Sequence, residues 1–565
     1  MRRSILFAVG ARAIRSLTAA RSHRGRFPTL DQNSSFLGPE PRGKDARKWY
    51  IRDKRKLSNR LREFFIYSPA LGRTVGVRVL LPGIPQEVSP VIHLYHGGGD
   101  DFRSWTDFGS AEEITLDSPY LVVMPDAGAG TYSRVAVGSE VHDWPTFHTK
   151  EIPNFLRKTF SVDFAPENQL LAGLSMGGYG AMKYAAWHPD RYSWAAAFSS
   201  PLDPLSAIPA FDIIAMREGA KSMTLFGDPV TDRSEWIANS PYGLAENLHG
   251  LNLWLSAGSG NLEESKDRDL LESMVNQQGE RFSARLNSLG IRHSWFPRTT
   301  GLHNWNSWER ELGAWLKTLR RQRDYASSDH RSIERRSGGD DDRRGGPRVD
   351  DRRGCPRVAD GGEFSYLTGH ALFDIHGWRV EISRRRAQVV CFGSVSTAGF
   401  SLTGTGSFRV RTPGLYEPGR RYDISVTGPI GSNDYPQRAD KKGRLTFTGR
   451  LAAAMHDPII PGKRTQHFTT VGQSEVTTVR IASTPDESSA SARAIDSDTA
   501  ARAIDSDTSA RAAPADVPLR AARSAEDAED TTDVSESAHV DDGSQTPTVF
   551  GYKGHNIVTV FPPSD

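Results

Sequence analysis

Gly173-Leu174-Ser175-Met176-Gly177-Gly178 has the form G-x-S-x-G, and its neighbours give that form a mechanical meaning. The short apolar run Leu170-Leu171-Ala172 leads into it, and a helix-forming run from Tyr179 to His188 follows until Pro189 ends it. A tight strand-to-helix turn of this kind lifts a serine hydroxyl clear of the backbone, and the flanking glycines let neighbouring backbone come close. The serine also stands at a helix N-terminus, where free N–H groups favour a developing negative charge. The chemistry expected of Ser175 is therefore nucleophilic attack. A serine nucleophile needs a base, and His303 in Gly301-Leu302-His303-Asn304-Trp305 is the candidate, just before the helix-like run from Glu309 to Leu319. From a loop there it would take the serine proton and return it to the leaving group.

Two further requirements follow. An acid must orient the base and stabilise its charged form. Leu251 to Ala257 reads as a buried strand, and Gly258-Ser259-Gly260-Asn261-Leu262-Glu263-Glu264 follows it. Glu264 is the favoured acid, with Glu263, Asp267 and Asp269 as alternatives. An oxyanion also needs two N–H donors. The residue after the nucleophile, Met176, gives one. The strand-like run Val91 to Tyr95 opens into His96-Gly97-Gly98-Gly99-Asp100, a glycine loop that offers the second. Gly98 is preferred there, and Gly97 is the fallback.

The elements that must hold these residues occupy less than half of the chain. At 565 residues it is too long for one core. Residues 1–63 hold 17 Lys/Arg against 5 Asp/Glu, and residues 484–547 hold 5 against 15, so both ends are strongly charged. Such segments bury too little apolar surface to fold alone. Asp341 to Val349 recurs as Asp350 to Val358, and Ala492 to Thr499 recurs as Ala501 to Thr508; both repeats are polar, and two copies do not make a solenoid. Between them Trp378, Val380 and Ile382 alternate with polar residues, as do Phe408 and Val410, and Tyr422, Ile424 and Val426. That is the pattern of a small all-β sandwich or barrel.

The expected organisation is a basic, unfolded arm or targeting segment (1–56), a catalytic domain (57–320), a charged linker (321–362), an all-β domain (363–483), an acidic unfolded tail (484–547) and a C-terminal segment without assignment (548–565). The two cysteines, Cys355 and Cys391, both lie outside the catalytic region, which excludes a cysteine nucleophile or a zinc–thiolate site there. No metal or organic cofactor is expected. The basic arm lacks interleaved aromatics, so no nucleic-acid partner is expected. No run after the N-terminus approaches the roughly 20 apolar residues of a membrane span.

Taken together, His96 to Trp105, Val122 to Ala127, Ala172 to Gly178 and Gly301 to Trp305 resemble, in one order, an esterase family. Its members include S-formylglutathione hydrolases, feruloyl esterases and the secreted mycolyltransferases of actinobacteria. The resemblance spans roughly Leu57 to Leu319. It implies an α/β-hydrolase fold, mainly a parallel doubly wound sheet, and acyl transfer through a serine ester. Carried over residue by residue, it sets the nucleophile on Ser175, the base on His303 and the oxyanion donors on Met176 and Gly98. Aligning its G-x-G with Gly258-Ser259-Gly260 puts the acid at Glu264. The segment from Phe364 to about Ser483 is similar to a β module that follows the hydrolase domain in some actinobacterial esterases. Its alternating aromatics point to core packing; contact with carbohydrate or cell envelope is the other use open to it.

The expected function is serine esterase action on a small-molecule, lipid or sugar ester. Acyl transfer to a sugar or lipid hydroxyl shares every catalytic residue. A binding protein on a hydrolase scaffold without turnover is the reading from another class. The start of the chain, Met1-Arg2-Arg3 followed by Ile5 to Gly10, resembles a short secretory signal, and the resemblance implies export or a cell-envelope location. Seven arginines and no acid in the first 30 residues also suit a mitochondrial transit peptide, and a cytoplasmic location is a further alternative.

Overall fold

The apolar runs around the two glycine motifs are continuous rather than alternating, as strands buried on both faces must be. In the computed structural model both lie inside one nine-stranded sheet. The structure describes residues 40–41, 43–262, 265–336, 363–385, 387–452 and 476–483. The sheet's strands are β1 (Tyr50–Lys56), β2 (Leu61–Ser68), β3 (Arg73–Leu80), β4 (Val91–Tyr95), β5 (Leu121–Pro125), β6 (Gln169–Leu174), β7 (Trp194–Phe198), β8 (Asn252–Ala257) and β9 (Ser294–Pro297). Their order is β1-β2-β3-β5-β4-β6-β7-β8-β9. The first strands pair antiparallel as far as β3 with β5, and every pairing from β5 to β9 is parallel. This is the α/β-hydrolase arrangement.

Period-two alternation divides the buried residues between the two faces. Leu171 of β6, Ala195 and Ala197 of β7, and Leu253 and Leu255 of β8 join one core. Leu170, Ala172, Leu174, Trp194, Ala196, Phe198 and Trp254 join the other. The first face is covered by the fully buried helix α1 (Met176–Trp187). The second is covered by helix α4 (Trp305–Arg336), whose Trp308, Leu312, Trp315, Leu316 and Leu319 recur at helical spacing. Helices α2 (Ile208–Glu218) and α3 (Leu270–Ser288) complete the layer beside α1. Each aromatic buried this way contributes about 1.5–3 kcal/mol relative to exposure.

Two expected boundaries shift. Tyr50–Lys56 is expected at the end of the unfolded arm but forms β1, paired with β2 on both sides of a register shift between Ile51 and Asp53. Its charges suit an edge strand, and Trp49 and Ile51 pack on a buried cluster. Helix α4 runs on to Arg336, past the start expected for the linker at 321, because no Gly or Pro intervenes before Gly338. The arm as far as residue 39, the repeat at 341–358 with Cys355, the acidic tail at 484–547 and the segment 548–565 lie outside the described residues.

The C-terminal module holds a six-stranded and a four-stranded antiparallel sheet. Trp378, Val380, Ile382, Phe408, Val410, Ile424 and Phe447 all face the core that the sheets share. The module is latched to α1 at its C-terminal end, where helix carbonyls lack intrahelical partners. Tyr366 Oη donates to Trp187 O, and Asn247 Nδ2 donates to both Ala186 O and Leu367 O. Ser175 precedes the other end of that 12-residue helix, about 18 Å away at 1.5 Å per residue. Among the described residues no helix is long and apolar enough to cross a membrane.

Candidate active site

β6 ends at Leu174 and α1 begins at Met176, so Ser175 alone makes the turn between them. It does so at φ 50° and ψ −122°, a conformation that costs a non-glycine residue about 1–3 kcal/mol. The flanking glycines are required by contact. A Cβ on Gly177 would stand 2.4 Å from Tyr95 O, and one on Gly173 would stand 2.4 Å from the carbonyl carbon of Gly177. The helix therefore starts directly against the end of β4, with the serine held above the sheet.

The structure brings Ser175 and His303 together across 128 residues of chain: Nε2 lies 2.9 Å from Oγ. His303 sits on the loop before α4, its ring edge-on to Trp308. Its backbone N–H donates to Asp269 Oδ2, and its Nδ1 lies 2.7 Å from Glu272 Oε2. Glu272 is fully buried. Its second oxygen, Oε1, accepts from Ser199 Oγ at 2.7 Å and from Gly258 N at 2.5 Å. Both oxygens of this buried carboxylate are therefore engaged by donors. Since Glu272 offers only acceptors, Nδ1 of His303 carries the proton and Nε2 faces the serine with a lone pair.

This corrects the acid. The sequence reading favoured Glu264, but the carboxylate that meets His303 is that of Glu272, in the first turn of α3. Counting from the glycines fails because the chain first makes the small pairing of Asn261–Leu262 with Ser265–Arg268 and returns through Asp269 N to Gly260 O. Glu263 and Glu264 lie outside the described residues, as does the side chain of Asp267. Asp269 is near but does other work: Oδ1 caps α3 at Leu271 N and Glu272 N, and Oδ2 holds the backbone of His303. The glycines still matter, because a Cβ on Gly258 would stand 2.5 Å from Gly301 O in the histidine loop.

One helical signal pointed to Glu272. Buried Glu272, Val275, Gly279, Phe282 and Leu286 follow one face of α3, so the carboxylate occupies a core position. Asp269-Leu270-Leu271-Glu272 also has the form of a capping box, which gives the glutamate an innocent explanation.

The glycine loop after β4 lies against the elbow. A Cβ on Gly97 would stand 3.6 Å from Ser175 Cβ, and one on Gly98 would stand 3.2 Å from Met176 Cγ. Among the described residues no acceptor lies on the amide of Gly98 or Met176. Both amides are thus unengaged, in segments that pack against each other at the elbow. Ile214 of α2 covers Gly98 from above. The loop ends at Asp100, where burial pushes the carboxyl up to about 6 against the opposing pull of His96 and His303. Among the described residues no three His, Cys, Asp or Glu side chains converge as a metal site needs.

Comparison with known proteins supplies the relatives. The family model described as Putative esterase matches residues 68–319. The chain is 32% identical over 273 residues to the diacylglycerol acyltransferase/mycolyltransferase Ag85B of Mycolicibacterium smegmatis, covering 45% of this chain and 82% of that protein. It is 31% identical over 258 residues to esterase Rv1288 of Mycobacterium tuberculosis, covering 43% of this chain but only 56% of that relative's length. Among solved structures, M. tuberculosis MPT51 (FbpC1) matches 44% of this chain and 92% of its own, at 25% identity and a TM-score of 0.37.

Proposed function

Because this chain belongs to the Putative esterase family, we propose that it is a serine esterase acting through an acyl-enzyme on Ser175. The observation that carries the reading is the continuous hydrogen-bond line from Ser175 Oγ through His303 to the buried Glu272, starting at a strained elbow. Ser175 Oγ attacks the ester carbonyl while its proton passes to His303 Nε2. The carbonyl oxygen becomes an oxyanion between the amides of Met176 and Gly98. Collapse of this tetrahedral species breaks the bond to the alcohol oxygen, which leaves with the proton from His303. Water then gives its proton to His303 and attacks the acyl-enzyme, and a second collapse frees the acid and restores Ser175. Glu272 keeps His303 in the Nδ1–H tautomer throughout and offsets its charge once it is protonated.

A second reading has its own support: the 32% identity to an acyltransferase named for mycolyl transfer favours a sugar or lipid hydroxyl in place of water. Both readings use the same residues and differ only in the acceptor. Export to the cell envelope belongs to either.

The test is hydrolysis of a short-to-long series of nitrophenyl esters by the full chain and by Ser175→Ala, with and without a disaccharide acceptor. Loss of about 10⁵–10⁶ in turnover is expected for the variant. An acylated disaccharide in place of free acid would select the transferase. A folded protein inactive on every ester and acceptor would leave the non-catalytic scaffold.

A further inference from the structure

The first residue of the glycine loop, His96, is almost fully buried, and its ring bonds to none of Ser175, His303 and Glu272. Its two ring nitrogens have different partners. Nε2 lies 2.9 Å from Ala127 N, and Nδ1 lies 2.8 Å from Gly97 O. A backbone N–H can only donate, so Nε2 is the acceptor; the ring proton is on Nδ1 and points at the Gly97 carbonyl. Gly97 O and Gly98 N–H are the two ends of one trans peptide, and planarity makes them point in opposite directions. Whatever holds the carbonyl aims the amide.

Resting on the esterase reading above, we infer that His96 is a positioning residue: its Nδ1–H sets the Gly97–Gly98 peptide so that the Gly98 amide faces the oxyanion. The loop is pinned on either side of this peptide. Tyr132 Oη donates to His96 O at 2.7 Å, and Gly99 N donates to Ala129 O at 3.1 Å. These bonds fix where the loop runs but leave the plane between them free to turn, and glycines at 97 and 98 resist a flip less than any other residues. Among the described residues the remaining hydrogen bond to Gly97 O, from Asp100 N, is long at 3.4 Å. The short bond from His96 is what fixes the plane. Burial works against a charge on His96, while Asp126 and Asp100 outweigh it and raise its pKa. Protonation would cost the bond from Ala127 but not the one to Gly97 O, since Nδ1 carries a proton in both states. The aim of the amide therefore persists whichever state is present.

Two amide variants separate this role from simple packing. In His96→Asn the side-chain NH2 falls near the place of Nδ1 and can still donate to Gly97 O. In His96→Gln the amide reaches the place of Nε2, where its Oε1 accepts from Ala127 N, and no donor is left at the place of Nδ1. His96→Asn loses the acceptor for Ala127 N and should melt at a lower temperature than the parent, whereas His96→Gln keeps it. The expected result is a split in turnover on nitrophenyl butyrate. His96→Asn stays within about tenfold of the parent, while His96→Gln loses about 10²–10³ in kcat with KM within about threefold, the effect of removing one oxyanion donor. An alkyl trifluoromethyl ketone, whose adduct with the serine places a negative oxygen between the donors, should weaken on His96→Gln by the same factor. Equal kcat for the two variants, whether both are high or both are low, would overturn the inference. Ser175→Ala run beside them keeps the outcomes apart: undiminished activity there would sink the esterase reading itself, independently of His96.

Discussion

Glu272→Gln is the most informative single change in the proposed triad, because the structure fixes how the amide must sit. One oxygen of Glu272 accepts from Gly258 N at 2.5 Å and from Ser199 Oγ at 2.7 Å; the other faces His303 Nδ1 at 2.7 Å. Glutamine replaces one of these acceptors with a donor. Turning its NH2 toward Gly258 would set two obligatory donors against each other in a fully buried site. The amide oxygen therefore stays with Gly258 and Ser199, and the NH2 faces His303. Nδ1 must then accept, the ring proton moves to Nε2, and Nε2 no longer has a lone pair for the proton of Ser175. The expected loss is about 10³–10⁴ in kcat with little change in KM, equal to about 4–5.5 kcal/mol at 1.36 kcal/mol per decade. Glu264→Gln should stay within about twofold. Steady-state hydrolysis of nitrophenyl esters, with thermal melts to confirm folding, measures both. A folded Glu272→Gln protein within threefold of the parent would refute the argument, most directly if Glu264→Gln were the impaired one.

Other consequences can be measured on the same preparations. Asn247→Ala removes the two bonds from Nδ2 and the one accepted from Leu367 N, leaving buried partners on both modules. It should cost about 2–4 kcal/mol and lower Tm, yet leave kcat nearly unchanged, because these contacts lie at the far end of α1; an unaltered Tm would show that the latch contributes nothing. Burial lowers His93 to about 4 and His148 to about 3, so the native state keeps both neutral where the unfolded chain takes up protons near pH 6.5. Their contribution is complete above pH 6.5 and is lost as pH falls toward 4, at up to about 1.4 kcal/mol per pH unit for each residue. Urea denaturation from pH 7.5 to 4.5 should show that slope, and His93→Gln should reduce it by one proton's share; an unchanged slope would mean that His93 is not held neutral.

The parts of the site that could be read from sequence are those whose geometry is local. The elbow is legible because strand, strained serine and helix are consecutive, and the glycines that permit it must be neighbours. His303 and the loop at His96 to Asp100 are legible as motifs at strand or helix ends, and the sandwich module shows its core as an alternation of apolar side chains. Glu272 is different. Its role depends on a helix that starts after a short strand pairing and turns one carboxylate onto its buried face, so no fixed count from Gly258 or Gly260 reaches it. Sequence alone also hides the cost: a glutamate three residues after Asp269 looks like a cap until Asp269 is seen to cap the helix without it. The discriminating feature is periodic rather than positional. Glu272 is in step with Val275, Gly279, Phe282 and Leu286, and a carboxylate in an apolar stripe must be paired or neutral. The same reasoning applies to His96, whose part in the loop follows from which of its nitrogens can donate and not from its place in a motif.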